Sequence, residues 1–259
     1  MKIRKDAENS PETLIEYLLS ENPAYKGIAV PETENEKFRL YRSLVNIRPA
    51  MPVSPDYIDA ENNFLQHLTQ QKGITDITGL QPVENNIYLW QGDITTLKCG
   101  AIVNAGNSGL IGCYQPCHNC IDNCIHTFAG VGLRLECAEI IRKQGHKEQT
   151  GQAKLTSAYN LPCDYVIHTV GPVVNHRLTE KHCGLLKDCY KSCLETAVQN
   201  GIESIAFCCI STGLFGFPKQ EASEIAVGTV RKFLKNNDIK VIFNVFGDDD
   251  YEIYRKLFR

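Results

Sequence analysis

The sequence predicts an α/β fold with a helical extension at its N-terminus. From about residue 82 onward, short apolar runs that fit buried strands alternate with longer amphipathic runs that fit helices. This alternation is typical of a sandwich in which helices pack against a largely parallel or mixed sheet. Earlier residues show helical patterns separated by prolines instead. We therefore expect a helical extension over residues 1–75 and an α/β domain over residues 76–259.

Three helices are expected in the extension. The first is capped by Ser10, has Pro11 at its first position and runs through residues 14–19. Apolar residues that share one face predict a second helix at residues 36–46 and a third at residues 56–70. We recognise no chemistry in these helices, so we expect them to pack against the main domain.

In the main domain, apolar runs bounded by turn residues predict strands at residues 87–91, 101–103, 165–170, 204–210 and 240–246. Amphipathic periodicity predicts helices at residues 121–143, 185–200 and 218–236. The consecutive carboxylates of residues 248–250 resemble a metal site at first glance. Acidic residues are also typical of a solvated helix start, and we interpret them in that way.

Composition narrows the classes of function. The chain of 259 residues has a formal net charge of −3 and no apolar run long enough to cross a bilayer. We therefore expect no nucleic-acid binding through a basic face and no membrane span. The polar start lacks the apolar core of a signal peptide, and many of the 12 cysteines lie in apolar runs. These features predict a cytoplasmic protein in a reducing compartment.

The most distinctive stretch is residues 112–123, which brings three thiols and an imidazole close together. Zinc prefers such ligands. In an extended chain alternate side chains share a side, so His118 and Cys120 face one way while Cys117 faces the other. Cys113 can fold back through a turn. We predict a zinc site formed by Cys113, His118 and Cys120, with the fourth position open to water or substrate.

Two alternatives to this open zinc site stay in view. Cys113, Cys117, Cys120 and Cys124 also fall at helical spacing, so they could form a buried apolar stripe. Pro116 argues against one continuous helix through them, because it lacks an N–H group. The second alternative is a closed structural site that uses all three thiols of residues 113–120 together with the imidazole.

Three loops that follow predicted strands are candidates for ligand binding. They cover residues 92–95, 104–107 and 211–218. In open α/β sheets, ligands bind beyond the carboxyl ends of the strands. The third loop is rich in small residues and leads into a helix, so its backbone N–H groups could hold a phosphate. A plain strand-to-helix turn would explain that loop equally well.

Taken together, the motifs resemble those of the macrodomain family, in the family's order, over residues 82–259. They are Gly92-Asp93-Ile94, Val103-Asn104-Ala105-Gly106-Asn107, Val166-Ile167-His168-Thr169-Val170-Gly171-Pro172 and the loop from Ser211 to Pro218. This resemblance implies a three-layer α/β/α sandwich with a mixed central sheet. The Cys/His segment and the helical extension are similar to those of microbial zinc-dependent macrodomains that remove ADP-ribose from proteins. That group is associated with sirtuin-type ADP-ribosyltransferases.

The resemblance also implies roles for individual residues. Asp93, with the Ile94 backbone beside it, would bind the adenine amino group, and Phe246 would stack on adenine. Asn107 would hold the distal ribose, and Asn104 would brace its loop. The diphosphate would be bound by the loop residues Ser211, Thr212, Gly213, Leu214, Phe215 and Gly216.

Two departures from the family pattern bear on the site. Gly106 stands where many macrodomains have alanine, and the Cys/His segment replaces a glycine-rich substrate loop. Asp122 then falls where some hydrolytic macrodomains carry a catalytic aspartate. Its position at a helix start also suits a simple capping role.

The expected activity is zinc-dependent hydrolysis that removes mono-ADP-ribose from a protein side chain, with Asn107 and Asp122 as catalytic residues. The zinc ion could polarise the scissile linkage or activate water. The expected partners are an ADP-ribosylated protein, ADP-ribose and a sirtuin-type ADP-ribosyltransferase. Two alternatives are a non-catalytic ADP-ribose-binding module with structural zinc, and an enzyme that deacylates O-acyl-ADP-ribose.

Overall fold

The computed structural model describes residues 10–259 and contains a mixed sheet of seven strands. The strands of the described chain are β1 Thr75–Asp76, β2 Pro82–Glu84, β3 Ile87–Gln91, β4 Leu97–Lys98, β5 Ala101–Gly106, β6 Ala153–Ser157, β7 Tyr165–Val170, β8 Ser204–Phe207 and β9 Lys240–Val245. The helices are α1 Glu12–Ser20, α2 Glu34–Ile47, α3 Pro55–Lys72, α4 Ile121–Ala129, α5 Val131–Gln144, α6 Glu180–Gln199, α7 Lys219–Leu234 and α8 Asp248–Leu257.

The order of strands across the main sheet is β2-β3-β9-β8-β5-β7-β6. The five central strands run parallel, and β2 and β6 are antiparallel edge strands. β1 and β4 form a separate parallel pair. Because the central strands are parallel, their carboxyl ends all lie on the same side of the sheet. The loops after β3, β5, β7, β8 and β9 therefore lie close together.

Helices cover both faces of this sheet, which confirms the expected three-layer α/β/α sandwich with a mixed sheet. α7 packs against both α6 and α8 on one face, while α4 lies against β5 and α5 against β6 on the other. Four of the central strands, β5, β7, β8 and β9, are almost fully buried, as their largely apolar sequences predict. β3 is only partly buried. None of the helices in the described part of the chain is both long and apolar enough to span a bilayer.

The single helix expected at residues 121–143 is wrong, because the chain forms α4 and α5 with a break at Gly130. Gly130 adopts a φ of +90°, which favours glycine. A side chain there would also meet Glu61, since a Cβ atom would lie 2.6 Å from Glu61 Oε2. That oxygen accepts a hydrogen bond of 2.9 Å from the Val131 N–H, at the first residue of α5. The glycine therefore lets a carboxylate from α3 cap the second helix.

Most other predicted elements are confirmed, with shifted ends. The cap of α1 is wrong: Pro11 occupies the N-cap position, and Ser10 makes no capping bond. α6 begins earlier than predicted, because Thr179 caps it together with His182. β8 ends at Phe207, three residues before the predicted end. The edge strands β2 and β6 were not predicted at all.

The extension has a small core of its own that joins the main domain. Leu14, Ile15, Tyr41, Phe64 and other apolar residues of α1, α2 and α3 form this core together with Val131 of α5. Phe38 of α2 packs against both this core and the main one. The extension therefore packs against the main domain, as expected, and it does so on the α4–α5 side of the sandwich.

Candidate functional site

Asp93 lies two residues beyond β3, at the edge where the parallel strands end. Its Oδ1 accepts hydrogen bonds from Thr95 N at 3.0 Å and Thr95 Oγ1 at 2.6 Å, which caps a short 3₁₀ helix. Its Oδ2 lies 2.8 Å from Lys72 Nζ at the end of α3. Burial tends to raise the pKa of Asp93, but the Lys72 ion pair and the Thr95 bonds outweigh it and hold the pKa below its usual value. The carboxylate is therefore ionised and fixed in direction.

Phe246 follows the last residue of β9, on the strand next to β3. Gln91 pairs with Val245 in this sheet, so Asp93 and Phe246 leave from neighbouring strand ends. The Phe246 ring is 80% exposed, which is unusual for a large apolar side chain and leaves its face free for stacking. The Ile94 side chain is buried, so only the backbone of Ile94 can face a ligand.

The loop of residues 211–216 follows β8 and leads into α7. Ser211 has a φ of +67° and Gly216 a φ of +66°, so the chain turns sharply at both ends of the loop. In residues 10–259, the N–H groups of Gly213, Leu214 and Phe215 donate no hydrogen bond to the protein. Such free backbone donors in front of a helix N-terminus are suited to binding an anion.

Neighbouring glycines allow this loop to approach the rest of the domain closely. A Cβ atom on Gly171, directly after β7, would lie 2.0 Å from Ser211 Oγ, and one on Gly216 would lie 2.8 Å from the Val174 carbonyl oxygen. Val174 N donates to Phe215 O at 2.7 Å. The position of the loop thus depends on glycine at residue 171, which belongs to a motif singled out in the sequence.

Asp122, in the first turn of α4, binds both expected asparagines. Asn104 Nδ2 donates to Asp122 Oδ1 at 2.8 Å, and Asn107 Nδ2 donates to Asp122 Oδ2 at 3.2 Å. Asn107 Nδ2 also donates to the Gly112 carbonyl at 3.0 Å. Burial raises the pKa of Asp122 to about 6, although both amides act in the opposite direction. A Cβ atom on Gly106 would lie 3.4 Å from Asp122 Oδ1, close to ordinary van der Waals contact, so an alanine would also fit here.

The ligand atoms of Cys113, His118 and Cys120 lie within 4.8 Å of one another, so these residues could hold a metal ion. Cys113 Sγ is 3.7 Å from His118 Nδ1, and all three residues are partly exposed. Burial raises the pKa of the Cys120 thiol to about 12, and the nearby Cys113 adds to this effect. Two sulfurs and one imidazole nitrogen that converge from one loop fit zinc with a position left open.

Cys117 lies apart from these three residues, as expected, although its φ of +54° shows that the chain turns here and is not extended. Its Sγ is 3.2 Å from Ser43 Oγ and 3.4 Å from the Arg39 carbonyl oxygen, both in α2. The buried apolar stripe is wrong, because residues 112–120 form no helix and Cys113, Cys117, Cys120 and Cys124 are all partly exposed.

A second group of residues could also hold a metal ion. His126, Cys137 and His168 are buried, with ligand atoms within 4.8 Å of one another. Both ring nitrogens of His168 already have partners, since Nδ1 lies 3.1 Å from Asn104 Nδ2 and Nε2 lies 2.9 Å from Thr156 Oγ1. Burial lowers the pKa of His168 to about 3, which keeps the ring neutral. His168 is therefore a core histidine whose ring nitrogens are both already hydrogen-bonded.

Several residues that contact the candidate site were missed in the sequence. Lys72 reaches Asp93, and Arg42 and Asn123 contact the metal loop of residues 112–120. Lys72 and Arg42 look like ordinary surface residues of amphipathic helices, so the sequence carries no signal for them. Asn123 lies within the distinctive stretch, three residues after Cys120, and its closeness to the ligands was a usable signal.

Comparisons with known proteins bear on the fold and the family of the chain. Residues 103–226 match the family model described as Macro domain. The chain is 55% identical over 250 residues to a protein-ADP-ribose hydrolase of Treponema medium, covering 94% of this chain and 96% of that protein. It is 49% identical over 252 residues to a protein-ADP-ribose hydrolase of Staphylococcus aureus (strain MSSA476), covering 94% of each.

A solved structure with a similar fold contains ADP-ribose. The crystal structure of the Trypanosoma brucei macrodomain in complex with ADP-ribose superposes with a TM-score of 0.64 and 32% sequence identity. The match covers 83% of this chain and 94% of that chain.

Proposed function

The chain belongs to the macrodomain family, and on this basis we propose that it is a hydrolase that releases ADP-ribose from modified proteins. The relatives described as protein-ADP-ribose hydrolases match 94% of the chain, which must include most of the extension. The finer proposal is that the released group is mono-ADP-ribose, that it is linked to a protein side chain, and that release depends on zinc. We also propose that residues 1–75 and 76–259 are two parts of one functional unit.

The observation that carries this proposal is the contact between the metal loop and Asn107. Asn107 Nδ2 donates to the carbonyl of Gly112, the residue directly before the ligand Cys113. In our proposal Asn107 binds the distal ribose, so this bond brings Cys113, His118 and Cys120 beside the sugar whose linkage breaks. Zinc held there would supply Lewis-acid chemistry at the scissile linkage.

The protein's own residues bind and orient the nucleotide. Asp93 accepts a hydrogen bond from the adenine amino group beside the Ile94 backbone, and Phe246 stacks on the ring. The free N–H groups of residues 213–215 bind the diphosphate. The full set of residues that we propose bind the diphosphate is Ser211, Thr212, Gly213, Leu214, Phe215 and Gly216.

Asp122 acts in this proposal by holding Asn107 and Asn104. The residue is only 4% exposed, and each carboxylate oxygen already accepts one amide hydrogen bond. This supports a positioning role over direct activation of water. Asn107 then contacts the substrate with its amide held in one orientation, which lowers the cost of ordering it during the reaction.

The proposal is tested with purified protein and an ADP-ribosylated protein substrate, before and after treatment with a chelator. We expect chelation and His118→Ala each to remove zinc and to reduce ADP-ribose release at least about 100-fold, because a missing ligand removes the metal's contribution. Cys117→Ser is the matched control, since this thiol points towards α2. We expect that variant to keep both zinc and activity.

Other outcomes separate the alternatives. Tight binding of ADP-ribose without release would favour a non-catalytic binding module with structural zinc. Release from O-acyl-ADP-ribose alone would favour the deacylase. A His118→Ala variant that loses zinc but cleaves at the parent rate would contradict the zinc-dependent mechanism. A sirtuin-type ADP-ribosyltransferase stays our proposed source of the modified protein.

A further inference from the structure

The metal loop of residues 112–120 has little regular structure of its own. In the described part of the chain, its one internal backbone hydrogen bond runs from His118 N to Gln115 O at 3.2 Å. Cys117, directly before a ligand, adopts a φ of +54°, which is unfavourable for a residue with a Cβ atom. Other groups must therefore hold the loop in its conformation.

Arg42 of α2 supplies one such group, from a helix 76 residues away in sequence. Its Nη2 donates to the His118 carbonyl at 2.6 Å and to Asn123 Oδ1 at 2.9 Å. Its Nε donates to the same Asn123 oxygen at 3.3 Å. The planar guanidinium thus joins the backbone of one metal ligand to the first turn of α4.

Asn123 extends this contact to the other end of the loop. Its Nδ2 donates to the Gln115 carbonyl at 2.9 Å and to the Cys113 carbonyl at 3.3 Å. Arg42 fixes the Asn123 side chain through its oxygen, so the Asn123 amide group points at the loop. The pair therefore holds the backbone at two ligands, Cys113 and His118.

Asn46, one turn further along α2, holds the strained residue between these contacts. Its Oδ1 accepts a hydrogen bond from Cys117 N at 2.9 Å, and its Nδ2 donates to Thr127 Oγ1 at 3.0 Å. Asn46 is 1% exposed, so this partly buried bond is shielded from water on the Asn46 side. The hydrogen bond at Cys117 stabilises the backbone conformation that sets the direction of His118.

We propose that Arg42 is a positioning residue for the metal site, and that the helical extension, through α2, completes that site. This inference rests on the proposed zinc site of Cys113, His118 and Cys120. Arg42 touches neither the metal nor the substrate in this account. It acts by keeping the backbone of the ligands in the arrangement that binds zinc, so the free loop loses less entropy when zinc binds.

The test compares the zinc affinity of the full-length parent with that of Arg42→Ala and Arg42→Lys, by competition with a chromophoric chelator. Partners that orient metal ligands are worth about 10- to 100-fold in metal affinity. We expect the dissociation constant for zinc to rise about ten-fold or more in both variants. Lysine keeps the charge but lacks the planar fork, so it should not restore binding.

Arg39→Ala is the matched control, because this exposed arginine lies three residues earlier on the same helix. We expect it to bind zinc as the parent does. Hydrogen exchange of the metal-free proteins adds a readout that needs no activity: amides of residues 113–120 should exchange faster in Arg42→Ala than in Arg39→Ala. The amides of β5 should exchange equally in both, which shows that the fold is intact.

Parent-like zinc affinity and parent-like exchange in both Arg42 variants would overturn the inference while leaving the proposed function standing. Failure of the proposed function is seen separately, in the parent. If the His118→Ala variant binds zinc as the parent does, the proposed zinc site is wrong, and the proposed positioning role of Arg42 is wrong with it.

Discussion

Through Lys72, the extension contacts the adenine end of the proposed nucleotide site, opposite the end that lies beside the metal loop. Its Nζ lies 2.8 Å from Asp93 Oδ2 and 3.4 Å from the centroid of the Phe128 ring. The ring and the carboxylate attract the cation together. Lys72 thereby fixes the carboxylate that we propose binds adenine. Asp93 Oδ1 already accepts two hydrogen bonds from Thr95, whereas Oδ2 accepts one from Lys72 and can still accept a further bond from a ligand.

We predict that Lys72→Ala weakens ADP-ribose binding by about three- to ten-fold, since an oriented charge-assisted hydrogen bond is worth on the order of 1 kcal/mol. Isothermal titration calorimetry with ADP-ribose measures this effect. Lys98→Ala is the control, because Lys98 forms a similar exposed ion pair with Asp76 at 3.0 Å. Tighter binding in Lys72→Ala would contradict the prediction and indicate that Lys72 competes with adenine for Asp93.

At the scale of elements, Glu61 of α3 joins the extension to the main domain. It is 1% exposed, and its carboxylate accepts hydrogen bonds from Tyr41 Oη at 2.8 Å, Tyr57 Oη at 3.2 Å and Val131 N at 2.9 Å. A negative charge at the first N–H of α5 also interacts favourably with the helix dipole. This one carboxylate therefore ties α2, α3 and α5 together.

We predict that Glu61→Gln lowers the free energy of unfolding by about 1–3 kcal/mol, because the amide cannot accept all three bonds and leaves a buried donor without a partner. Urea denaturation measures the change. Asp59→Asn, on the exposed side of the same helix, is the control and should have little effect. Equal stability of parent and Glu61→Gln would show that the bonds to Glu61 are not needed.

The same residue gives a pH dependence. Burial raises the pKa of Glu61 in the native state above its ordinary value of 4.5, so the native protein binds this proton more tightly than the unfolded chain. The stability contributed by Glu61 therefore falls as the pH rises above that value. In the Glu61→Gln variant, the free energy of unfolding should therefore fall less steeply as the pH rises. An equally steep dependence on pH in the variant would contradict this prediction.

Elements that depend on local pattern were predictable, and those that depend on distant partners were not. The ligands Cys113, His118 and Cys120 could be proposed because they lie within eight residues. The break between α4 and α5 follows from Glu61, 70 residues away, although Gly130 inside a helical pattern was a usable signal. A charged Glu61 on the apolar face of α3 was another signal that the sequence offered.

At the scale of the whole molecule, the strand ends and the extension surround one region. The carboxyl ends of β3, β5, β8 and β9 carry the proposed nucleotide-binding residues, and the metal loop lies beside Asn107. α2 contacts the metal loop, and α3 contacts Asp93. The fold class was predictable because strand and helix patterns alternate along the chain. The contacts between the extension and the site were not predictable, because they depend on how the extension packs against the main domain.

X-ray absorption at the zinc edge of the purified protein tests the central claim most directly, because it counts the sulfur and imidazole ligands. We predict two sulfur ligands at about 2.3 Å and one imidazole nitrogen at about 2.0–2.1 Å, as for Cys113, Cys120 and His118. One sulfur with two imidazoles would assign the metal to His126, Cys137 and His168. Three sulfurs with one imidazole would indicate a closed structural site, and either result would contradict the account.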